Sequence, residues 1–111
     1  MKAVSSKRAK ACQISGKTKR LVYERDDGLC VVCGQPGLPE AHYIPRSKGG
    51  LGIEQNVVCL CRRCHDRFDQ GTGDVTNVIG ERIRSYLQSQ YDGWTEDDLV
   101  YKKYGGNING M

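Results

Sequence analysis

Two C-x-x-C pairs constrain the fold of this chain more than any other feature of its sequence. The pairs lie 27 residues apart and consist of Cys30, Cys33, Cys61 and Cys64. A C-x-x-C turn places two sulfurs on one side of a zinc ion, and zinc takes four thiolates in a tetrahedron. The spacing therefore predicts one structural zinc site that both pairs close. The alternative is two reduced or redox-active pairs without metal.

The composition supports a metal as a stabiliser. A chain of 111 residues, 38% of them hydrophobic, forms one small domain with tails and buries a modest apolar core. The first twenty residues lack the apolar segment of a signal peptide, and no run of about 18 apolar residues occurs. We therefore expect a protein of the reducing cytoplasm, where C-x-x-C pairs usually hold metal. Of the two spare cysteines, Cys12 and Cys59, the second lies in an apolar segment and is predicted to be buried.

Charge is distributed unevenly along the chain. The formal net charge is +4. The first twenty residues contain no acid, but they contain Lys2, Lys7, Arg8, Lys10, Lys17, Lys19 and Arg20. We expect residues 1–15 to form a basic flexible arm in which Lys7, Arg8 and Lys10 contact nucleic-acid phosphates. A disordered tail that only aids solubility is the alternative.

Hydrophobic periodicity and turn residues predict an α+β domain. The predicted helices cover residues 15–25, 62–69 and 76–91 and a short segment after Thr95, and the predicted strands cover 40–44 and 56–60. Four segments follow along the chain: the arm 1–15, a zinc-stabilised core 16–72, a helical extension 73–104 and a frayed tail 105–111.

Both histidines of the chain fall in the zinc-stabilised core. His42 lies on the first predicted strand, and His65 directly follows the last cysteine of the pairs. Neutral imidazole is a suitable base for activating water near pH 7, and it also binds divalent cations. Asn56, which begins the second predicted strand, has an amide that can hold the loop beside the base. One histidine as base and the other as metal ligand would suit phosphodiester hydrolysis.

These residues carry a resemblance to a known family. The stretches Ala41-His-Tyr-Ile-Pro-Arg-Ser-Lys-Gly-Gly50 and Asn56-Val-Val-Cys-Leu-Cys-Arg-Arg-Cys-His65 resemble the HNH endonuclease motif, in particular the small HNH proteins of phages and prophages. The resemblance covers about residues 18–70. It implies a ββα-metal fold with flanking helices and a metal-dependent DNA endonuclease in a bacterial host cell, linked to DNA-packaging proteins.

The resemblance also implies a role for each matched residue. His42 is the general base, Asn56 steadies the base and its loop, and His65 binds the catalytic divalent ion, which is Mg²⁺, Mn²⁺, Ni²⁺ or Zn²⁺. Arg46 and Lys48 occupy loop positions where phosphate contacts are expected. A solvated loop residue is the alternative for Arg46.

One position departs from the family pattern. Family members commonly carry a second metal ligand directly before the base, where this chain has Ala41. Asp69 follows His65 by one helical turn and is the predicted substitute, and Glu40 is a weaker candidate on the strand of His42. Ala41 leaves open a second function, a catalytically degenerate zinc module that binds nucleic acid. A third hypothesis is a protein-interaction module that uses the C-terminal helices.

Overall fold

The computed structural model describes residues 7–102. Four α-helices and a two-stranded sheet follow one another in the order α1 (Lys7–Cys12), α2 (Gly16–Arg25), β1 (Leu38–His42), β2 (Val57–Leu60), α3 (Arg62–Gln70) and α4 (Gly73–Gln90). Two 3-10 helices cover Arg46–Lys48 and Glu96–Leu99. The predicted frayed tail, 105–111, and Lys2 lie outside the described residues. Among residues 7–102, no helix is long and apolar enough to cross a membrane.

The two strands form an antiparallel hairpin that helices cover on both faces. Ala41 lies opposite Val58, and an irregularity in the pairing lies between Leu38 and Ala41. All four residues of β2 are buried. Successive side chains of a strand point to opposite faces. Val58 and Leu60 accordingly join the core with α3 and α4, whereas β2 residues 57 and 59 pack against Val22 of α2.

The hairpin, the helices that pack on it and the four-cysteine group together form the mixed α+β core that the resemblance implies. Strand β1 begins and ends two residues earlier than the predicted 40–44 segment. Beyond His42 the Tyr43 amide still donates to the Asn56 backbone carbonyl, but the Ile44 amide donates to the Asn56 side-chain oxygen, so the backbone ladder ends there.

Local sequence signals position the helices. Ser15 caps α2, since its side-chain oxygen accepts from the Thr18 amide at 3.1 Å. Helix α4 buries Ile79, Ile83 and Leu87, which are spaced four residues apart and form one apolar stripe against the hairpin. The helical extension therefore packs into the same core as the hairpin.

A buried ion pair joins α2 to the hairpin and to α4. Arg25 Nε lies 2.6 Å from Asp26 Oδ1, and an Arg25 Nη donates to the Val57 carbonyl at 2.8 Å. Asp26 accepts from the Cys59 amide at 2.9 Å and from the Tyr86 hydroxyl. The charges are thus paired and hydrogen-bonded, which is the condition for burying them without a large cost.

The N-terminal segment differs from its prediction. The sequence predicts a flexible arm over residues 1–15, but Lys7–Cys12 form helix α1 and Cys12 is 2% exposed. A helix of six residues is not stable on its own. It forms here because it packs against the loop that connects the two strands, with the Ala11 carbonyl accepting from the Gly52 amide at 2.9 Å.

Candidate functional site

The four cysteine thiols of the C-x-x-C pairs converge at the end of the hairpin. Their sulfur atoms all lie within 4.8 Å of one another. Cys33 Sγ lies 3.6 Å from Cys61 Sγ, close to the roughly 3.8 Å that a tetrahedron with Zn–S bonds of about 2.3 Å requires. Cys61 is also the N-cap of α3, and its sulfur accepts from the Cys64 amide at 3.4 Å. This donor set fits a structural zinc ion.

The environment of these thiols shifts their pKa values in opposite directions. Burial acts to raise the pKa of Cys30, but the nearby amides of Cys61, Cys33 and Val32 outweigh it and lower that pKa to about 7. Burial raises the pKa of Cys64, and the neighbouring thiols add to this effect. Since only thiolates bind zinc, ion binding and deprotonation of this group are coupled.

His42 stands at the end of β1 with one ring nitrogen fixed by the backbone. Its Nε2 lies 2.8 Å from the Cys12 carbonyl oxygen at the end of α1. A carbonyl only accepts, so Nε2 carries the proton and Nδ1 keeps its lone pair. Burial lowers the pKa of His42, and the Cys12 carbonyl partly opposes this effect. The imidazole is therefore held neutral, with Nδ1 available as a base.

Asn56 holds the start of the loop that connects the strands, residues 43–55, called here the 43–55 loop. Its side chain is fully buried. Its Oδ1 accepts from the Ile44 amide at 2.9 Å, and its Nδ2 donates to the carbonyls of Ile44 at 3.1 Å and Leu51 at 2.8 Å. One amide thereby bridges the two ends of the loop. These three hydrogen bonds are compatible with the predicted role of Asn56, which is to steady the loop beside the base.

Both ends of the described chain pack against the 43–55 loop. On one side the Leu51 amide donates to the Leu99 carbonyl at 2.8 Å. On the other side Gly52 approaches the segment after α1 so closely that a Cβ there would lie 2.2 Å from the Gln13 carbonyl oxygen. Only glycine fits at this contact. The loop beside His42 is therefore held from three directions.

His65 and Asp69 lie one turn apart on α3, and their side chains face each other. His65 Nε2 lies 3.2 Å from Asp69 Oδ2. The charges of Asp69 and His65 both act on the pKa of His42. His42 and Asp69 also line one cleft of about 810 Å³, called here the His42 cleft. The structure thus brings the predicted base and the predicted metal ligands to one region.

A catalytic ion would have few protein ligands in this region. Among residues 7–102, the four cysteines are the one group of three or more His, Cys, Asp or Glu side chains close enough to hold a metal. His65 and Asp69 supply a nitrogen and an oxygen donor, which is a set that divalent ions accept and which leaves positions open for water and phosphate.

The position before the base offers no ligand. Ala41 is 2% exposed and belongs to the apolar core beneath the hairpin. Glu40 pairs instead with Lys19, at 3.7 Å between Oε2 and Nζ. Glu40 and His42 do share a shallow hollow of about 270 Å³, but Asp69 does not line it.

The predicted phosphate-binding residues divide into two groups. Lys48 is exposed and lines the His42 cleft, whereas Arg46 is exposed in the shallow hollow beside His42. Lys7 and Lys10 are exposed on α1. Arg8 differs from them, because its guanidinium donates to the 43–55 loop, to the carbonyls of Ser47 at 3.2 Å and of residue 46 at 3.4 Å.

Sequence reasoning missed two parts of this site. The first is the Cys12 carbonyl, a main-chain atom that no residue type signals. The second is the far wall of the His42 cleft, where Tyr43 hydrogen-bonds to Glu96 and Arg84 Nε lies 3.5 Å from the same carboxylate. The Tyr43 ring also packs against Trp94, with centroids 5.9 Å apart. Helical periodicity predicts α4, but it does not indicate which of its polar residues line the cleft.

Comparison with known proteins agrees with this geometry. The family model described as HNH endonuclease matches residues 30–70, a stretch that holds all four zinc-site cysteines, both histidines and the buried asparagine. No curated protein and no solved structure matches the chain significantly. Residues 30–70 of this chain, which contain the hairpin, α3 and the four-cysteine group, are thus similar to a family of nucleases.

Proposed function

We propose that this chain is a metal-dependent endonuclease that hydrolyses phosphodiester bonds in DNA. The observation that carries the proposal is the fixed ring of His42, whose Nε2 is occupied by the Cys12 carbonyl at 2.8 Å. In the same cleft lies Asp69, which pairs with His65. A nitrogen lone pair in the same cleft as a carboxylate that can bind a divalent ion is the minimal arrangement for water activation at a phosphodiester.

In this proposal His42 Nδ1 takes a proton from the attacking water. The lowered pKa of His42 keeps the ring neutral, and hence basic, at physiological pH. Asn56 holds the 43–55 loop, so that the exposed Lys48 and Arg46 on that loop face the phosphate backbone. Lys7 and Lys10 on α1 extend the basic surface, and each contact adds salt-sensitive affinity.

His65 and Asp69 would hold the catalytic ion, which is Mg²⁺, Mn²⁺, Ni²⁺ or Zn²⁺. Such an ion supplies charge stabilisation for the transition state and for the leaving oxygen. Their nitrogen and oxygen donors lie 3.2 Å apart, so one ion can contact both. Asp69 is the substitute for the missing ligand at Ala41.

Other parts of the proposal rest on family resemblance alone. They are a phage or prophage source, a link to DNA-packaging proteins and a place in the cytoplasm of a bacterial host. The plasmid assay distinguishes nicking from double-strand cutting, because nicking gives an open circle and double-strand cutting gives a linear product.

Cleavage of supercoiled plasmid tests the proposal directly. The purified protein is incubated with plasmid and each of the four metals, beside an EDTA control. His42→Ala should lower the cleavage rate by about 10²-fold or more while zinc content and DNA binding persist. Gln88→Ala, an exposed change on α4, is the matched control and should cut like the parent. Equal cutting by a folded His42→Ala protein would refute the assignment of the base.

A metal titration tests the role of Asp69 separately. Asp69→Ala should raise the metal concentration needed for half-maximal cleavage, because one of two protein donors is lost. Glu40→Ala is the matched control, since its carboxylate pairs with Lys19. If both variants titrate like the parent, Asp69 is not a ligand.

The buried Ala41 favours a second function, a zinc module that binds nucleic acid without cutting it. Duplex binding with no cleavage in any of the four metals, unaffected by His42→Ala, would support this module over the enzyme.

A further inference from the structure

A second concave surface lies beside the zinc-site cysteines. It is a groove of about 980 Å³ between α3, the start of α4 and the first C-x-x-C turn. Its lining includes Val32, Val75, Val78 and Ile79, together with Arg63 and Arg67. It is called here the Val78 groove. Three of the predicted zinc ligands, Cys33, Cys61 and Cys64, line it at one end, whereas His42, Asn56, His65 and Asp69 do not.

The floor of the Val78 groove is an uncovered part of a core stripe. Helix α4 places Val75, Ile79, Ile83 and Leu87 along one face at four-residue spacing, and the last three are buried. Val75, however, is 45% exposed, and the adjacent Val78 is 58% exposed. The stripe that packs α4 onto the hairpin thus continues past the body of the domain without cover.

The wall of the groove carries positive charge. Arg63 and Arg67 are both exposed and lie one turn apart on α3. Like charges at this spacing repel each other. Within residues 7–102, no carboxylate lies within salt-bridge distance of either guanidinium. Of the described residues, Asp74 is the one carboxylate that lines the groove, whereas three arginines line it: Arg62, Arg63 and Arg67.

The groove faces away from the His42 cleft. At 100° per residue, Arg63 and Arg67 lie roughly 160° around the α3 axis from His65, with the buried Cys64 between the two faces. A duplex seated over His42 and Asp69 would therefore not reach this wall. An aliphatic floor also offers nothing to a phosphate backbone, which is bound by polar and basic groups.

We propose that the Val78 groove binds an acidic, amphipathic helix of a protein partner. Apolar side chains of such a helix, spaced three and four residues apart, cover Val75 and Val78. Its flanking carboxylates pair with Arg63 and Arg67, which relieves the repulsion between them. This binding is separate from phosphodiester cleavage and does not depend on it.

The test uses synthetic peptides with the full-length, zinc-loaded protein. One peptide of about 18 residues carries Leu at helical spacing with Glu on its flanks, and a second replaces every Glu with Lys. Binding is measured by fluorescence anisotropy, and the contact surface by amide chemical shifts of the ¹⁵N-labelled protein. The acidic peptide should bind, with shifts confined to residues around Val75 and Val78, and the basic peptide should not.

Charge reversal and an apolar change locate the binding. The double variant Arg63→Glu/Arg67→Glu should weaken binding of the acidic peptide at least about tenfold, because it replaces attraction between opposite charges with repulsion. A tenfold loss corresponds to about 1.4 kcal/mol. Val78→Asp should do the same without unfolding the domain, because Val78 is exposed. Arg82→Glu, an exposed change on α4 outside the groove, is the control and should bind like the parent.

Three results would overturn the proposal. The first is unchanged binding of the acidic peptide by both groove variants. The second is a change in the amide chemical shifts of the groove residues when a short DNA duplex is added, which would assign the surface to nucleic acid. The third is a parent protein that sediments as a dimer while Val78→Asp sediments as a monomer, which would give the groove to a second copy.

Discussion

Asn56→Ala tests the argument that one buried amide holds the 43–55 loop. The change removes three hydrogen bonds, at 2.9, 3.1 and 2.8 Å, between that side chain and the backbone of Ile44 and Leu51. Each contributes about 1 kcal/mol net, so the free energy of unfolding should fall by about 3 kcal/mol. In a domain of this size that loss corresponds to a fall in Tm of about 12 °C.

Asn56→Asp separates the donor role of this amide from its acceptor role. One aspartate oxygen can still accept from the Ile44 amide. The other replaces Nδ2 and faces the carbonyls of Ile44 and Leu51, so acceptors meet at a fully buried site. A buried carboxylate without donors is costly. At pH 7 Asn56→Asp should therefore be at least as destabilised as Asn56→Ala.

Urea unfolding of the zinc-saturated proteins measures the free energy of unfolding of both variants. The only tryptophan, Trp94, reports on this region, since its Nε1 donates to the Gln55 carbonyl at 2.8 Å beside the mutated position. Gln88→Ala is the surface control and should stay within about 0.5 kcal/mol of the parent. If Asn56→Ala unfolds at the same urea concentration as this control, the three bonds do not stabilise the loop and the reasoning fails.

Four further predictions concern the zinc centre and the surroundings of His42. Stripping the zinc with a chelator should abolish the cooperative thermal transition seen by circular dichroism, and a metal-free protein that melts like the parent would contradict the zinc assignment. Burial lowers the pKa of His42, and a base must be neutral, so the acid limb of the cleavage profile should lie below the ordinary histidine value of 6.5. An acid limb above that pH would exclude His42 as the titrating base. The double variant Lys7→Ala/Lys10→Ala should make the salt dependence of duplex binding shallower by up to about 0.9 per lost phosphate contact, and an unchanged slope would leave these lysines a solubilising role. Gly52→Ala should lower cleavage at unchanged zinc content, because its Cβ would lie 2.2 Å from the Gln13 carbonyl and displace the segment that holds His42; parental activity would show that this contact is dispensable.

The sequence by itself determined the features that depend on short spacing. Two C-x-x-C pairs bring four sulfurs together because each turn fixes its own two, and the hairpin then needs only to bring the turns into contact. Ser15 marks the start of α2 because a cap is a local hydrogen bond. Ile79, Ile83 and Leu87 mark the buried face of α4 because helical periodicity depends only on spacing along the chain.

Only the tertiary structure decided which partners meet around His42. Cys12 contributes a main-chain carbonyl from 30 residues away, and every residue has such a carbonyl, so no sequence pattern could single it out. Helix α1 is likewise hidden from the sequence, since six residues do not form a stable helix without the loop they pack against. The four-cysteine group was predictable because its geometry is local, whereas the surroundings of His42 arise from contacts between distant segments.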